Sequence, residues 1–324
     1  MTIHAGIVGV GSKVPDKVLT NADLEKMVDT SDEWITARTG IKERRLTDYE
    51  TATSDLAYEA AQKALEHAKV APEEIDCIAI GTSSPDTLFP SVGCILQDKL
   101  GATNAAAFDV SAACSGFNYG LAVASALIES GQYKCVLLVG ADTLTKYIDF
   151  KDRNTCILFG DGAGAVVLKP FIDGSGILAN HLAAEGAGGK HLVMPGGGSR
   201  DPELRKSRYM SMDGKEVFKF AVRALETSVQ KVLDKSGFKI EDVDLLIPHQ
   251  ANVRIINHAL KKLRLPKEKV YVNLQKYGNT SAASVPIALD EALSEGRIKK
   301  GDVIVLSGFG AGLTYGANLI KWSV

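Results

Sequence analysis

The chain has 324 residues, 45% apolar and 23% charged, with 37 Lys and Arg against 39 Asp and Glu; it can bury a core unaided and lacks the basic field that a nucleic-acid binder needs. Its length suggests two domains or two halves, and five cysteines without CxxC spacing fit reduced thiols. No apolar run approaches the roughly 20 residues of a membrane span, and the stretch up to Pro15 has neither a basic n-region nor a cleavage site, so a cytoplasmic protein that does not engage membranes is expected.

In chain order, GIVGVGSKVP follows a possible first strand. Its spacing is GxxGxG rather than GxGxxG, and Pro15 interrupts any helix there, so it is not read as a dinucleotide loop. Thr53 or Ser54 caps a helix whose apolar positions include Leu56, Ala57, Ala60, Ala64 and Leu65. IDCIAIG (75–81), AAAFDV (105–110) and CVLLVG (135–140) read as buried strands. Between the last two, a strand ends near Val110 and an unusually apolar helix begins at about Cys114. Residues 185–202 form a Gly/Pro-rich loop rather than a linker between independent domains. The second half offers a helix around Val217 to Leu233, strands DLLIP (244–248), VYVNL (270–274) and VIVLSG (303–308), and a last strand near Tyr315 to Trp322.

An internal repeat organises these elements. Residues 60–76 (AAQKALEHAKVAPEEID) match 228–244 (SVQKVLDKSGFKIEDVD), and CVLLVG matches VIVLSG, both at an offset of 168. A constant offset with matching element types implies duplication. Two α/β halves are expected, 1–170 and 171–324.

At a helix N-terminus, unpaired N–H groups and the macrodipole lower a thiol pKa, so Cys114 reads as a nucleophile among small neighbours. The alternative is a small buried hydrophobe, the reading given to Cys77, Cys94, Cys135 and Cys156. The equivalent turn of the second half, in VNLQKYGNTSAASVPIALDEAL, places Asn279 close to Cys114 in the repeat, so both helix starts would meet at one site. His249, in LLIPHQAN, alone among six histidines directly ends an apolar strand, where sites of open α/β sheets collect; its alternative is a ring satisfied by backbone groups. His4, His67, His181, His191 and His258 are taken as surface or packing residues.

Together ACSG, PHQAN and GNTSAAS, with DGAGA (161–165) and GFGAG (308–312), resemble the β-ketoacyl-acyl-carrier-protein synthase III family of the thiolase-fold superfamily. The resemblance runs over essentially the whole chain, from GVGSKVPDKVLTN through DEWITARTGIKERR to GAGLTYGANLIKW. Elongating synthases would carry a second histidine at Asn279, and thiolases a second cysteine in the last Gly-rich loop, but this chain has none after Cys156.

The resemblance implies a thiolase-like α/β fold of two duplicated halves in α-β-α-β-α layers. It implies decarboxylating condensation of a short acyl-CoA with malonyl-acyl-carrier protein, without metal or redox cofactor. Cys114 would carry the acyl group, with the backbone N–H groups of Cys114 and Ala311 as oxyanion hole; Gly is frequent in the family at Ala311. His249 and Asn279 would hold the enolate oxygen. Trp34 and Arg153 would sandwich the adenine of CoA, Arg38 would meet its phosphates and Asn252 its pantetheine; Asn154 receives no role. Phe89 would reach across a homodimer into the partner's acyl pocket. The basic run RIINHALKKLRLPKEK, with Arg254, Lys261 and Lys262, would dock the acidic carrier protein. Alternatives are a CoA-dependent synthase making a quinolone or polyketide starter, a carrier-binding module without turnover, and a cysteine hydrolase.

Overall fold

The computed structural model describes residues 2–324. Strands β1 (His4–Lys13), β2 (Cys77–Gly81), β3 (Ala106–Val110), β4 (Val136–Asp142) and β5 (Gly162–Phe171) form one sheet, in the order β1-β5-β4-β2-β3. Strands β6 (Gly176–Ala184), β7 (Leu245–Pro248), β8 (Val303–Gly310) and β9 (Thr314–Lys321) form the second, in the order β7-β8-β9-β6. The main helices are α1 (Asp32–Thr39), α2 (Thr53–Ala68), α3 (Val92–Leu100), α4 (Gly116–Glu129), α5 (Gly214–Ser236), α6 (Val253–Leu263) and α7 (Ser284–Ser294). Among the described residues, no helix is long and apolar enough to cross a membrane.

Strand alternation makes the layers. On β2, Ile78 and Ile80 face α2 and α3, while Cys77 and Ala79 face α4. On α4, Phe117, Leu121, Ala124 and Ile128 recur at three- and four-residue steps; with Val285, Ala288, Leu289 and Ala292 of α7 they pack between the inner faces of both sheets. Helices α5 and α6 cover the outer face of the second sheet. The order is therefore helices, sheet, helices, sheet, helices, as the resemblance implies.

Local details depart from the sequence reading. Neither Thr53 nor Ser54 caps α2: the N-cap is Ala52, whose N–H donates to Asp55 (2.7 Å), and the buried Thr53 hydroxyl donates instead to Ser84 O (2.6 Å). Helix α5 starts at Gly214, where Asp213 Oδ1 accepts from Glu216 N–H, and runs to Ser236. VYVNL is not a strand. Only Val270 bridges to Leu246, because the Gln250 side chain donates to Tyr271 O (3.2 Å) and accepts from Asn273 N–H (3.0 Å), satisfying backbone groups that a ladder would have used.

The repeat is visible in the turns. The 3₁₀ turn Ala113–Ser115 precedes α4, and the 3₁₀ turn Ser281–Ala283 precedes α7, an offset of 168; Ala113 and Ser281 share left-handed φ values of +47° and +53°. Cys114 thus lies in the turn before the α-helix rather than at its first residue. Its counterpart in the repeat is Ala282, and the counterpart of Asn279 is Ser111, which corrects the alignment that set Asn279 beside Cys114.

Candidate active site

The left-handed Ala113 folds the chain back sharply, a conformation costing a residue with a Cβ about 1–3 kcal/mol, and so aims Cys114 between the two halves. Cys114 is buried, and its Sγ accepts from the Ser281 hydroxyl at 3.4 Å. Burial pushes the thiol up to about 12; the Ser281 hydrogen bond pulls the other way, and the Asp142 charge adds to the rise. This reverses the expectation of a lowered thiol pKa, since desolvation outweighs the nearby helix start.

His249 follows β7 directly, its N–H donating to Ser307 O (2.7 Å). The ring is not satisfied by backbone groups: Nδ1 lies 2.6 Å from the Ser284 hydroxyl, and the ring packs at 72° against Phe309, centroids 5.0 Å apart. Burial lowers its pKa to about 3, so the imidazole is neutral at pH 7. Asn279 is clamped to the first half, its N–H donating to Leu158 O (2.8 Å) and its carbonyl accepting from Gly160 N–H (3.0 Å). Its Oδ1 accepts from Ser281 N–H (2.9 Å), which leaves the Nδ2 donor for the cavity.

Cys114, His249 and Asn279 line one cavity of about 540 Å³. A smaller one of about 150 Å³ continues past Cys114, walled by Leu144, Phe159, Met194, Met210 and Ala311. Cys114 is therefore the junction of a larger channel and a smaller, mostly apolar pouch. Leu192 belongs to both, so the Gly-rich loop of residues 185–202 forms part of the wall.

Trp34, Arg38, Asn252 and Arg254 also line the channel. The guanidinium groups of Arg38 and Arg153 lie 4.5 and 5.3 Å from the Trp34 ring centroid. Arg153 donates to Asp29 O (2.8 Å) and does not line the channel, whereas Asn154 does. Asn252 caps α6, accepting from Arg254 N–H (2.8 Å). On that helix Arg254 and Lys261 are exposed, while Lys262 pairs with Glu226 at 2.8 Å. Phe89, 84% exposed beside Leu88, lines neither cavity. Among the described residues no three His, Cys, Asp or Glu side chains converge as metal ligands.

Several groups at the site were not read from the sequence. Ser281 and Ser284 lie inside the quoted GNTSAAS, but a serine beside a helix start reads as a cap. Nothing in the sequence marks Asp142, a buried carboxylate ending β4. Its Oδ1 accepts from Thr82, Ser83 N–H and Ser84, and its Oδ2 from Ala282 N–H (3.2 Å). In the repeat, Ala282 corresponds to Cys114 and Asp142 to Gly310. The first half sets a carboxylate on the N–H of the second half's turn. The other has only Gly310 beside Cys114, where a Cβ would lie 2.6 Å from Cys114 N.

Comparisons with known proteins place the chain in a family. The family described as 3-oxoacyl-[acyl-carrier-protein (ACP)] synthase III matches residues 108–186, and its C-terminal part matches residues 233–322. The beta-ketoacyl-[acyl-carrier-protein] synthase III of Caldanaerobacter subterraneus subsp. tengcongensis is 58% identical, covering 99% of this chain and 98% of its own. That of Geobacillus kaustophilus is 54% identical, covering 98% and 99%. The solved 3-oxoacyl-[acyl-carrier-protein] synthase III of Aquifex aeolicus VF5 is 52% identical with a TM-score of 0.93, covering 98% of this chain and 100% of that one.

Proposed function

The chain belongs to the 3-oxoacyl-[acyl-carrier-protein] synthase III family, and from that premise we propose that it condenses a short acyl-CoA with malonyl-acyl-carrier protein, releasing CO2 and beginning fatty-acid synthesis. The observation that carries this reading is Cys114 at the junction of channel and pouch, with His249 and Asn279 on the channel side. Synthesis of a quinolone or polyketide starter is not favoured, because relatives at 54–58% identity over nearly the whole chain carry the synthase III name.

In the first step a bond forms between Cys114 Sγ and the acyl carbon, the bond to the CoA sulfur breaks, and the thiol proton ends on CoA. This exchange has no net proton demand, which suits a buried thiol with a raised pKa. The Ser281 hydroxyl donates to the sulfur as charge develops. The tetrahedral oxyanion takes the N–H groups of Cys114 and Ala311. The Asp142 carboxylate on the N–H of Ala282, the counterpart of Cys114, supports that role: it puts an anion at the equivalent donor.

In the second step malonyl-carrier protein loses CO2, and the electron pair of the broken bond delocalises onto the thioester oxygen. Neutral His249 and Asn279 donate to that oxygen without removing a proton from carbon. The carbanion attacks the acyl carbonyl and expels Cys114 thiolate, which regains a proton from water. No cofactor takes part.

The Trp34 face with Arg38 and Arg153 suits the adenine and phosphates of CoA, and Asn252 the pantetheine. Arg254 and Lys261, with Lys262 beside them, meet an acidic carrier. Exposed Phe89 and Leu88 suit burial against a second copy, giving a homodimer in the cytoplasm whose halves, 1–170 and 171–324, supply Cys114 and the His249–Asn279 pair. The test is intact-protein mass after mixing with acetyl-CoA. A gain of about 42 Da on Cys114, removed by malonyl-carrier protein, is expected. No adduct from acetyl-CoA or from any branched or longer acyl-CoA refutes the proposal.

A further inference from the structure

The segment 279–284 reaches all three reacting side chains. It holds Asn279 itself, sends the Ser281 hydroxyl to Cys114, and sends the Ser284 hydroxyl to His249. The last contact does not belong to the scheme above. Ser284 is the first residue of α7 and is buried.

A serine hydroxyl has one proton to donate. The Ser284 oxygen already accepts from Gln250 N–H (3.4 Å), and among the described residues the hydroxyl has no acceptor other than His249 Nδ1, at 2.6 Å. Its proton therefore points at Nδ1, which must be the unprotonated nitrogen, and the ring proton sits on Nε2. Nε2 is the nitrogen on the side away from Ser284, and His249 lines the channel. The Phe309 ring, 5.0 Å from the imidazole centroid, keeps the ring from turning over.

We propose that Ser284 is a positioning residue that holds His249 as its Nε2–H tautomer, so that His249 meets the thioester oxygen as a hydrogen-bond donor and cannot act as a base. The inference rests on the condensing reaction proposed above for what the donor does, but the tautomer is a property of the free chain. Without the hydroxyl, Nδ1 loses its only side-chain partner, and nothing then keeps the ring proton from moving to that nitrogen.

The experiment is nitrogen-15 NMR of histidine-labelled full chain at neutral pH, with His249 assigned by comparison with His249→Asn. The expected wild-type spectrum shows protonated Nε2 and bare Nδ1; protonated Nδ1 overturns the proposal whatever any variant does. In Ser284→Ala, the rate of malonyl-carrier-protein decarboxylation should fall roughly ten- to a hundredfold further than acetyl transfer to Cys114, the range for loss of an orienting partner. Ser284→Thr, which restores a hydroxyl, should recover most of it. Equal losses in both half-reactions, or an unchanged decarboxylation rate, overturn the proposal. A wild-type chain that takes no acyl group refutes the condensing function and not the tautomer, which the spectrum reads without substrate.

Discussion

Gly310→Ala adds a single methyl group at the point where the second half presses on the nucleophile. The new Cβ would lie 2.6 Å from Cys114 N, 3.0 Å from Cys114 Cβ and 3.2 Å from Cys114 Cα. None of these atoms ends a flexible side chain, and Ala113 before them is already left-handed, so the turn cannot rotate aside cheaply. The gap to the nitrogen must open by about 0.8 Å to reach ordinary contact at 3.4 Å. A displacement near 1 Å at a reacting group costs about a hundredfold in rate, and overpacking costs roughly 1–3 kcal/mol of stability. The methyl also occupies the space beside Cys114 N–H that an oxyanion needs. Rapid-quench mass measurement of Cys114 acetylation should therefore show a loss of about a hundredfold, with Tm lowered by a few degrees. Gly198→Ala, where an added Cβ meets nothing within 4 Å, is the control. Acetylation of Gly310→Ala within twofold of wild type, in a folded protein, would refute the reasoning.

The raised thiol pKa has a defined sign: the protonated form persists to higher pH than in an ordinary cysteine. Iodoacetamide labelling of Cys114, followed by peptide mapping to separate it from exposed Cys94, should be slow at pH 7 and still rising beyond pH 9; a plateau below pH 8 would contradict the effect of burial. Arg254→Glu should raise KM for malonyl-carrier protein about tenfold at low ionic strength and less in high salt, with a smaller change for acyl-CoA. Equal changes for both substrates would discredit carrier docking on α6.

What the sequence shows and hides follows from where each backbone and side chain finds its partners. Strands β2, β4 and β8 are legible as short apolar runs because both of their faces are buried. VYVNL is also mostly apolar, yet a side chain from elsewhere, Gln250, takes two of its backbone groups, and nothing local reveals that. The sign of the Cys114 shift is hidden for a related reason. A helix start is visible in sequence, but the depth of burial that outweighs it depends on packing from the other half, chiefly Gly310 and Ser281. The role of Ser284 is not legible in sequence because its hydroxyl serves a ring 35 positions away rather than its own helix.

The duplication explains why there is one site and not two. Each reacting residue has a counterpart 168 positions away that cannot do its work: Cys114 faces Ala282, Asn279 faces Ser111, and His249 faces Gly81. A side chain at Gly81 would put its Cβ 2.6 Å from the Gly116 carbonyl carbon, so the first sheet packs directly onto the start of α4, leaving no room for an imidazole. At the counterpart of the nucleophile, the donor N–H of Ala282 is already taken by Asp142, and Gly140 packs on the Ala282 carbonyl. The second turn is thereby closed by a carboxylate and by backbone contact. The first keeps an uncluttered N–H, because Gly310 stands where the other half has Asp142. One half thus supplies a nucleophile with room at its amide, and the other supplies neutral donors from residues that its twin has replaced with Gly and Ser.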